Sequence, residues 1–177
     1  MGPLSISVLL FTALVLSGGF AAPRAQEQRE KSVVSERAAE NTSATARCDS
    51  GWSLFKSHCF HFISQSASWV DAQVHCITLG GSLVSVHSLE EYRFVQKLTR
   101  GADNTLPKTW IGGIDAVEEG KWLWIDGTPF DFTNWAPDRP DNKGPEHCLE
   151  MNFGGRKQWN DLPCSKTKPF VCAKQAS

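Results

Sequence analysis

The chain has no charge excess to speak of: 18 Lys and Arg stand against 19 Asp and Glu over 177 residues. There is accordingly no basic field for nucleic acid and no polybasic patch for an anionic membrane. Only one long apolar run is present, at residues 4–20, so the rest of the chain lacks the roughly 20 apolar residues that a membrane span needs and is expected to be soluble. Sustained heptads are missing too, which excludes a coiled coil around Val33 and Val34. No nucleophile motif occurs, and the only adjacent acid and base are Glu146 and His147. Neighbours on a strand face opposite ways, so the chain is expected to bind rather than to catalyse. Tryptophan is absent before Trp52 and after Trp159, which confines the aromatic-dense, folded part to the C-terminal three quarters.

The first quarter reads differently. Residues 4–20 are uncharged and end in the small residues of Gly19, Phe20, Ala21 and Ala22, the pattern of a secretory signal cleaved after Ala21. The segment 22–47 is rich in Glu, Arg, Ala, Ser and Thr, and with so little apolar surface it cannot offset the entropy of ordering. It is expected to be a disordered linker or pro-segment. Within it Asn41, Thr42 and Ser43 form an acceptor for N-glycosylation.

Six cysteines follow, all in the last 130 residues. Behind a signal peptide they imply three disulfides formed in an oxidising compartment, and spacing alone allows fifteen pairings. His58, Cys59 and His61 could be read as zinc ligands, but they lie on an alternating stretch where histidines at strand positions facing solvent are the simpler reading. Ser68 with Asp71 and Ser88 with Glu91 are capping boxes. The first opens a helix with Trp69, Ala72, Cys76 and Leu79 on its inner face, stopped by Gly80 and Gly81; the second runs through Val95 and Leu98 to Gly101. Strand patterns occupy 82–86, 109–114, 121–125, 148–153 and 169–173. Helices early and strands late give an α+β fold rather than an alternating one. Residues 127–147 hold four prolines and no strand pattern, a long loop of the kind that usually carries function.

That loop and the segment after it are rich in oxygen donors: Asp138, Asp141, Asn142 and Glu146, then Asn160 and Asp161, set beside Cys148, Cys164 and Cys172. Carboxylates and amide oxygens converging from two segments suit a hard cation such as calcium, which takes six to eight oxygen ligands.

Trp110-Ile111-Gly112, the strand Trp122-Leu123-Trp124, Pro140 between Arg139 and Asp141, the triplet Trp159-Asn160-Asp161 and the six-cysteine spacing together resemble a C-type lectin-like domain of the long form, over about residues 48–174. The domain is taken as 48–177. The resemblance implies two helices flanking antiparallel sheets, a long ligand-binding loop, and the pairs Cys48–Cys59, Cys76–Cys172 and Cys148–Cys164. It implies a cis peptide bond before Pro140. It also implies a glycan or glycoprotein ligand, recognised together with calcium on Asp141, Glu146, Asn160 and Asp161. An aspartate after the proline resembles the galactose-type pattern, although residues 142–147 lack the aromatic ring on which such sites stack the sugar.

Arg139 departs from the family pattern, which has Glu or Gln before the proline. A guanidinium is always charged and accepts no bond, so it cannot coordinate a cation. Three arrangements are compatible with it. Calcium is held weakly by the remaining four residues; or Arg139 replaces the cation by pairing with Glu146 or Asp161; or Asp138 or Asn142 fills the missing position. A second calcium site of some family members would fall on Asp115, Glu119, Asn142 and Glu146, with His147 where an Asp is usual. The alternative to a lectin is a calcium-independent module of the same fold that binds a protein or ice.

Overall fold

The computed structural model describes residues 46–177; the leader at 1–21, Asn41 and the 22–47 segment as far as residue 45 lie outside the described residues. In chain order the elements are β1 (Ser53–Phe55), β2 (His58–Ala67), α1 (Trp69–Thr78), β3 (Ser82–Leu83), α2 (Leu89–Leu98), β4 (Thr109–Ile114), β5 (Leu123–Trp124), β6 (Cys148–Phe153), β7 (Gln158–Leu162) and β8 (Lys168–Gln175). The strands join in the order β1-β2-β8-β4-β6-β7, with β3 on β8 and β5 on β4. All pairings are antiparallel except β4 with β8, which meet at Trp110 and Phe170.

Both helices start where their caps dictate. The Asp71 amide donates to Ser68 Oγ at 3.2 Å and the Glu91 amide to Ser88 Oγ at 3.1 Å, each meeting a donor that a helix start leaves open. Glu91 closes its box one residue early, accepting from the His87 amide at 2.7 Å. α1 buries Trp69, Ala72 and Cys76, and Trp69 Nε1 donates to the Ile111 carbonyl at 2.8 Å, fixing the helix to β4. β4 runs through the middle of the domain, and its two glycines are needed for close approach. A Cβ on Gly112 would stand 2.7 Å from the Leu83 carbonyl oxygen, and one on Gly113 2.6 Å from Leu149 Cδ2.

Several strands differ in length from their sequence patterns. Residues 84–86 are buried and Val84 still donates to Val171 at 2.9 Å, but only Ser82–Leu83 form ladder. The 121–125 pattern shortens to Leu123–Trp124, α2 ends at Leu98 rather than Gly101, and β8 runs on to Gln175. The three disulfides are Cys48–Cys59, Cys76–Cys172 and Cys148–Cys164. Cys76–Cys172 closes a loop 96 residues long, and opening such a bridge typically costs about 2–5 kcal/mol. The ends of the domain meet as well: the Arg47 amide donates to the Ser177 carbonyl at 2.9 Å, and the Ser177 amide to that of Arg47 at 3.2 Å.

Trp159, fully buried, holds the long loop onto the sheet. Its ring meets those of Trp124, Phe130, Phe132 and Trp135 at centroid distances of 5.7, 6.1, 5.6 and 5.8 Å. Three of these four rings come from residues 127–147, so the loop is anchored from beneath by aromatic packing. Asp161, two residues on along the same strand, is thereby set against the loop backbone.

Candidate functional site

The long loop returns to the sheet at β6 and lies over β7. Carboxylate oxygens of Asp141, Glu146 and Asp161 fall within 4.8 Å of one another. Asp161, wholly buried, accepts from the backbone amides of Asp141 and Asn142, each at 3.1 Å. Charge-assisted bonds of this kind are about twice as strong as neutral ones, and here they fix the turn after Pro140. The bond before Pro140 is cis.

Asn160 is buried on the same strand. Its Nδ2 donates to Glu150 Oε1 at 3.0 Å, while its Oδ1 has no partner. Glu150, also wholly buried, has Oε2 2.8 Å from Lys168 Nζ, an ion pair without hydrogen-bond geometry. An orphaned buried oxygen is costly, and Asn160 Oδ1 is the kind of donor a hard cation would use. Glu150 and Lys168, which orient Asn160 from behind, carry no sequence signal of that role.

Arg139 is ion-paired with Asp141, not with Glu146 or Asp161 as one reading of the sequence required. Its guanidinium also lies over the Phe153 ring, 5.3 Å from the centroid. Lys143 adds a second cation to Asp141 at 3.3 Å, a contact the sequence reading missed. Burial pushes the Asp141 carboxyl up, but hydrogen bonds from Lys143 and the charges of Arg139 and Lys143 outweigh it and hold it below the usual carboxylate value. Glu146 moves the other way: burial, then the carboxylates of Asp161 and Asp141, push it up against the pull of Arg139. In kind, three carboxylates and an unpartnered amide oxygen fit calcium. What stands against an ion is the pair of cations already seated on Asp141.

Asp115, Glu119 and His147 form a separate cluster. His147 Nδ1 lies 3.1 Å from Asp115 Oδ1 and 3.4 Å from Glu119 Oε2, and buried Asp115 accepts from the Gly120 amide at 2.9 Å. Burial, followed by the charge of Asp115, raises Glu119. Glu146 does not join this group, as the second calcium set required, but turns to Asp141 and Asp161. Adjacent Glu146 and His147, just before β6 begins, therefore serve different clusters. His58 and His61, the other metal reading, have organic partners: His61 Nδ1 donates to the Gly51 carbonyl at 2.6 Å and its ring stacks on Trp52, and His58 Nδ1 meets Ser57 Oγ at 3.3 Å.

Against known proteins, the family described as Lectin C-type domain matches residues 65–174. The chain is 36% identical to ladderlectin of Oncorhynchus mykiss over 96% of its own length and 92% of that protein. It is 42% identical to the galactose-specific lectin nattectin of Thalassophryne nattereri, covering 74% and 82% of the two. Among solved structures, a calcium-independent type II antifreeze protein superposes with a TM-score of 0.69 at 34% identity, over 76% of this chain and 99% of that one. Among the described residues no helix is long and apolar enough to cross a membrane.

Proposed function

The chain belongs to the C-type lectin domain family, and from that premise we propose that it is a secreted glycan-binding protein, galactose-type in pattern, whose binding surface is the long loop with Arg139, Asp141, Glu146, Asn160 and Asp161. The observation that carries this reading is the convergence of the Asp141, Glu146 and Asp161 carboxylates under the long loop, with the neighbouring Asn160 keeping an unpartnered Oδ1. A galactose-specific relative at 42% identity supports the choice of sugar. Three disulfides support an extracellular setting.

Asp141, Glu146, Asn160 and Asp161 are the residues that would hold calcium. When bound, calcium offers free coordination positions to sugar hydroxyl oxygens. The chain's own residues do the rest. Asp161 holds the loop turn through two amides, Asn160 is oriented by Glu150, and Arg139 and Lys143 neutralise Asp141. The loop therefore keeps its shape by internal ion pairing, and Arg139 would have to leave Asp141 for that carboxylate to serve fully as a calcium ligand. Binding is accordingly weak for the family.

The second reading, a calcium-independent module, draws on the same Arg139–Asp141 pair and on the calcium-independent antifreeze structure. Ice as its ligand is not supported by the threonines. Thr128 Oγ1 donates to Asp126 at 2.7 Å and Thr105 Oγ1 to Asp103 at 2.7 Å, so neither hydroxyl belongs to a free array. Calorimetric titration with calcium, paired with retention on galactose resin in calcium and in chelator, separates the two. Measurable calcium binding with calcium-dependent retention is expected; no calcium heat and no retention on galactose in either condition would favour the module instead.

A further inference from the structure

A concavity of about 290 Å3 lies between α2 and the turn joining β6 to β7, away from the carboxylate clusters, and Arg93, Gln96, Asn134, Arg156 and Gln158 are on its walls. Among the described residues neither arginine is ion-paired, because the acids around them are engaged elsewhere. Glu90 reaches Lys56 at 3.2 Å, Glu91 accepts from the His87 amide, and Asp131 pairs with His87 at 2.8 Å. Arg93 and Lys97 lie one turn apart on α2 and Arg100 follows just past its end, all exposed, so cations continue past the cleft. A second concavity of about 280 Å3 shares Arg156 and Gln158 with the first and continues over Pro137, Phe153 and Gly154. At that end Lys108 lies over the Phe153 ring at 4.8 Å, on which Arg139 also sits.

The result is a groove with cations along its length, in a chain whose net charge is −1. We propose that the groove binds a linear anionic glycan, a sugar chain bearing sulfate or carboxylate groups. Guanidinium forks match the oxyanions of such groups bidentately. The amide side chains on the walls, Gln96, Asn134 and Gln158, make the groove polar between its cations. The small or flat residues of the second concavity leave room for the apolar faces of the rings. Nucleic acid fits less well, since single strands rely on stacking against open aromatic faces and the Phe153 ring already carries two cations. None of the long-loop carboxylates takes part, so the inference stands whether or not calcium binds there.

The test is calorimetric titration of the full-length protein with a heparin oligosaccharide in the presence of chelator, which removes the long-loop reading from the outcome. Binding is expected, and it should weaken severalfold between about 0.05 and 0.2 M salt. Arg93→Ser with Arg156→Ser should weaken it by about tenfold or more, as loss of two charge-assisted contacts demands. Lys166→Ser removes an exposed cation that lines neither concavity and should leave affinity unchanged. Both arginines are exposed, so the double variant should melt with the parent. Fully desulfated heparin keeps its carboxylates and shows which oxyanion is read; failure of both forms overturns the proposal. Equal affinity in parent and double variant overturns it too, as does single-stranded DNA of equal charge binding as tightly as heparin.

Discussion

Glu146 and His147 are consecutive residues, yet one joins carboxylates that carry two permanent cations, and the other is the only cation paired with its own cluster among the described residues. In the long-loop group Asp141 holds Arg139 and Lys143, and Asp161 is satisfied by backbone amides. In the other group Asp115 and Glu119 share His147, which is charged only when protonated. The first cluster is met by a guanidinium and an ammonium, while the second has a single imidazole. The difference shows that an acid cluster reports little by its acids. What matters is which counter-charges the fold has already delivered, and therefore what an incoming ligand must displace.

The largest way to break this comparison is Asp161→Ala. It removes a wholly buried acceptor of two amides and should cost about 2–4 kcal/mol in urea unfolding, with calcium binding lost. Glu119→Ala, which removes a half-exposed partner, should cost less than about 1 kcal/mol. Equal losses would mean that the two clusters are structurally equivalent.

Next in size is Arg139→Gln, which sharpens the contrast by giving the long loop an oxygen in place of a charge. Calcium affinity should rise about tenfold, or roughly 1.4 kcal/mol, and galactose retention should strengthen. The calcium-free melting temperature should fall, because Asp141, Glu146 and Asp161 then face one another with Lys143 alone. If affinity and melting temperature both match the parent, Arg139 is a bystander and the displacement account fails.

The smallest effect is in pH. Asp141 has a lowered carboxyl, so the stability it contributes is present above its unfolded value and is lost as pH falls through its folded one. Glu146 is raised, so the folded state prefers its protonated form; that contribution is full below its unfolded value and is lost as pH rises through the folded one. Calcium needs Glu146 ionised. Its affinity should therefore begin to decline, on acidification from neutral pH, above the usual carboxylate range, and Glu146→Gln should be weaker but flatter. His147→Gln should leave this profile in place, since His147 faces the other cluster; a profile that followed His147 would merge the two.

Local signals were legible in the sequence and tertiary ones were not. The capping serines and the inner faces of both helices follow from contacts within a few residues, and they were readable as such. β7 was not read as a strand, because Gln158–Leu162 does not alternate: Trp159, Asn160 and Asp161 are all buried, and the polar pair is tolerated only because Glu150 and the loop amides come to meet it. The oxygen donors of the loop were visible as types. The partner of Arg139 was not, since it depends on the path of the chain through Pro140. Arg93 and Arg156 lie far apart in sequence and meet only because α2 packs beside the β6–β7 turn, so the groove had no signal in the chain at all.

The hydrogen-bonded ends at Arg47 and Ser177 have a mechanical consequence. A pull applied at these two points must first shear the short backbone pairing between them, and it then runs into covalent crosslinks. Tension passes from Cys48 across its bond to Cys59, along 59–76, across to Cys172 and out along 172–177. Everything from Ile77 to Val171 hangs off this path as a closed side loop. The long loop and the arginine groove both lie inside it, so neither bears load while the chain is under tension, and extension stops at the reach of those two short segments, about 3.3–3.6 Å per residue.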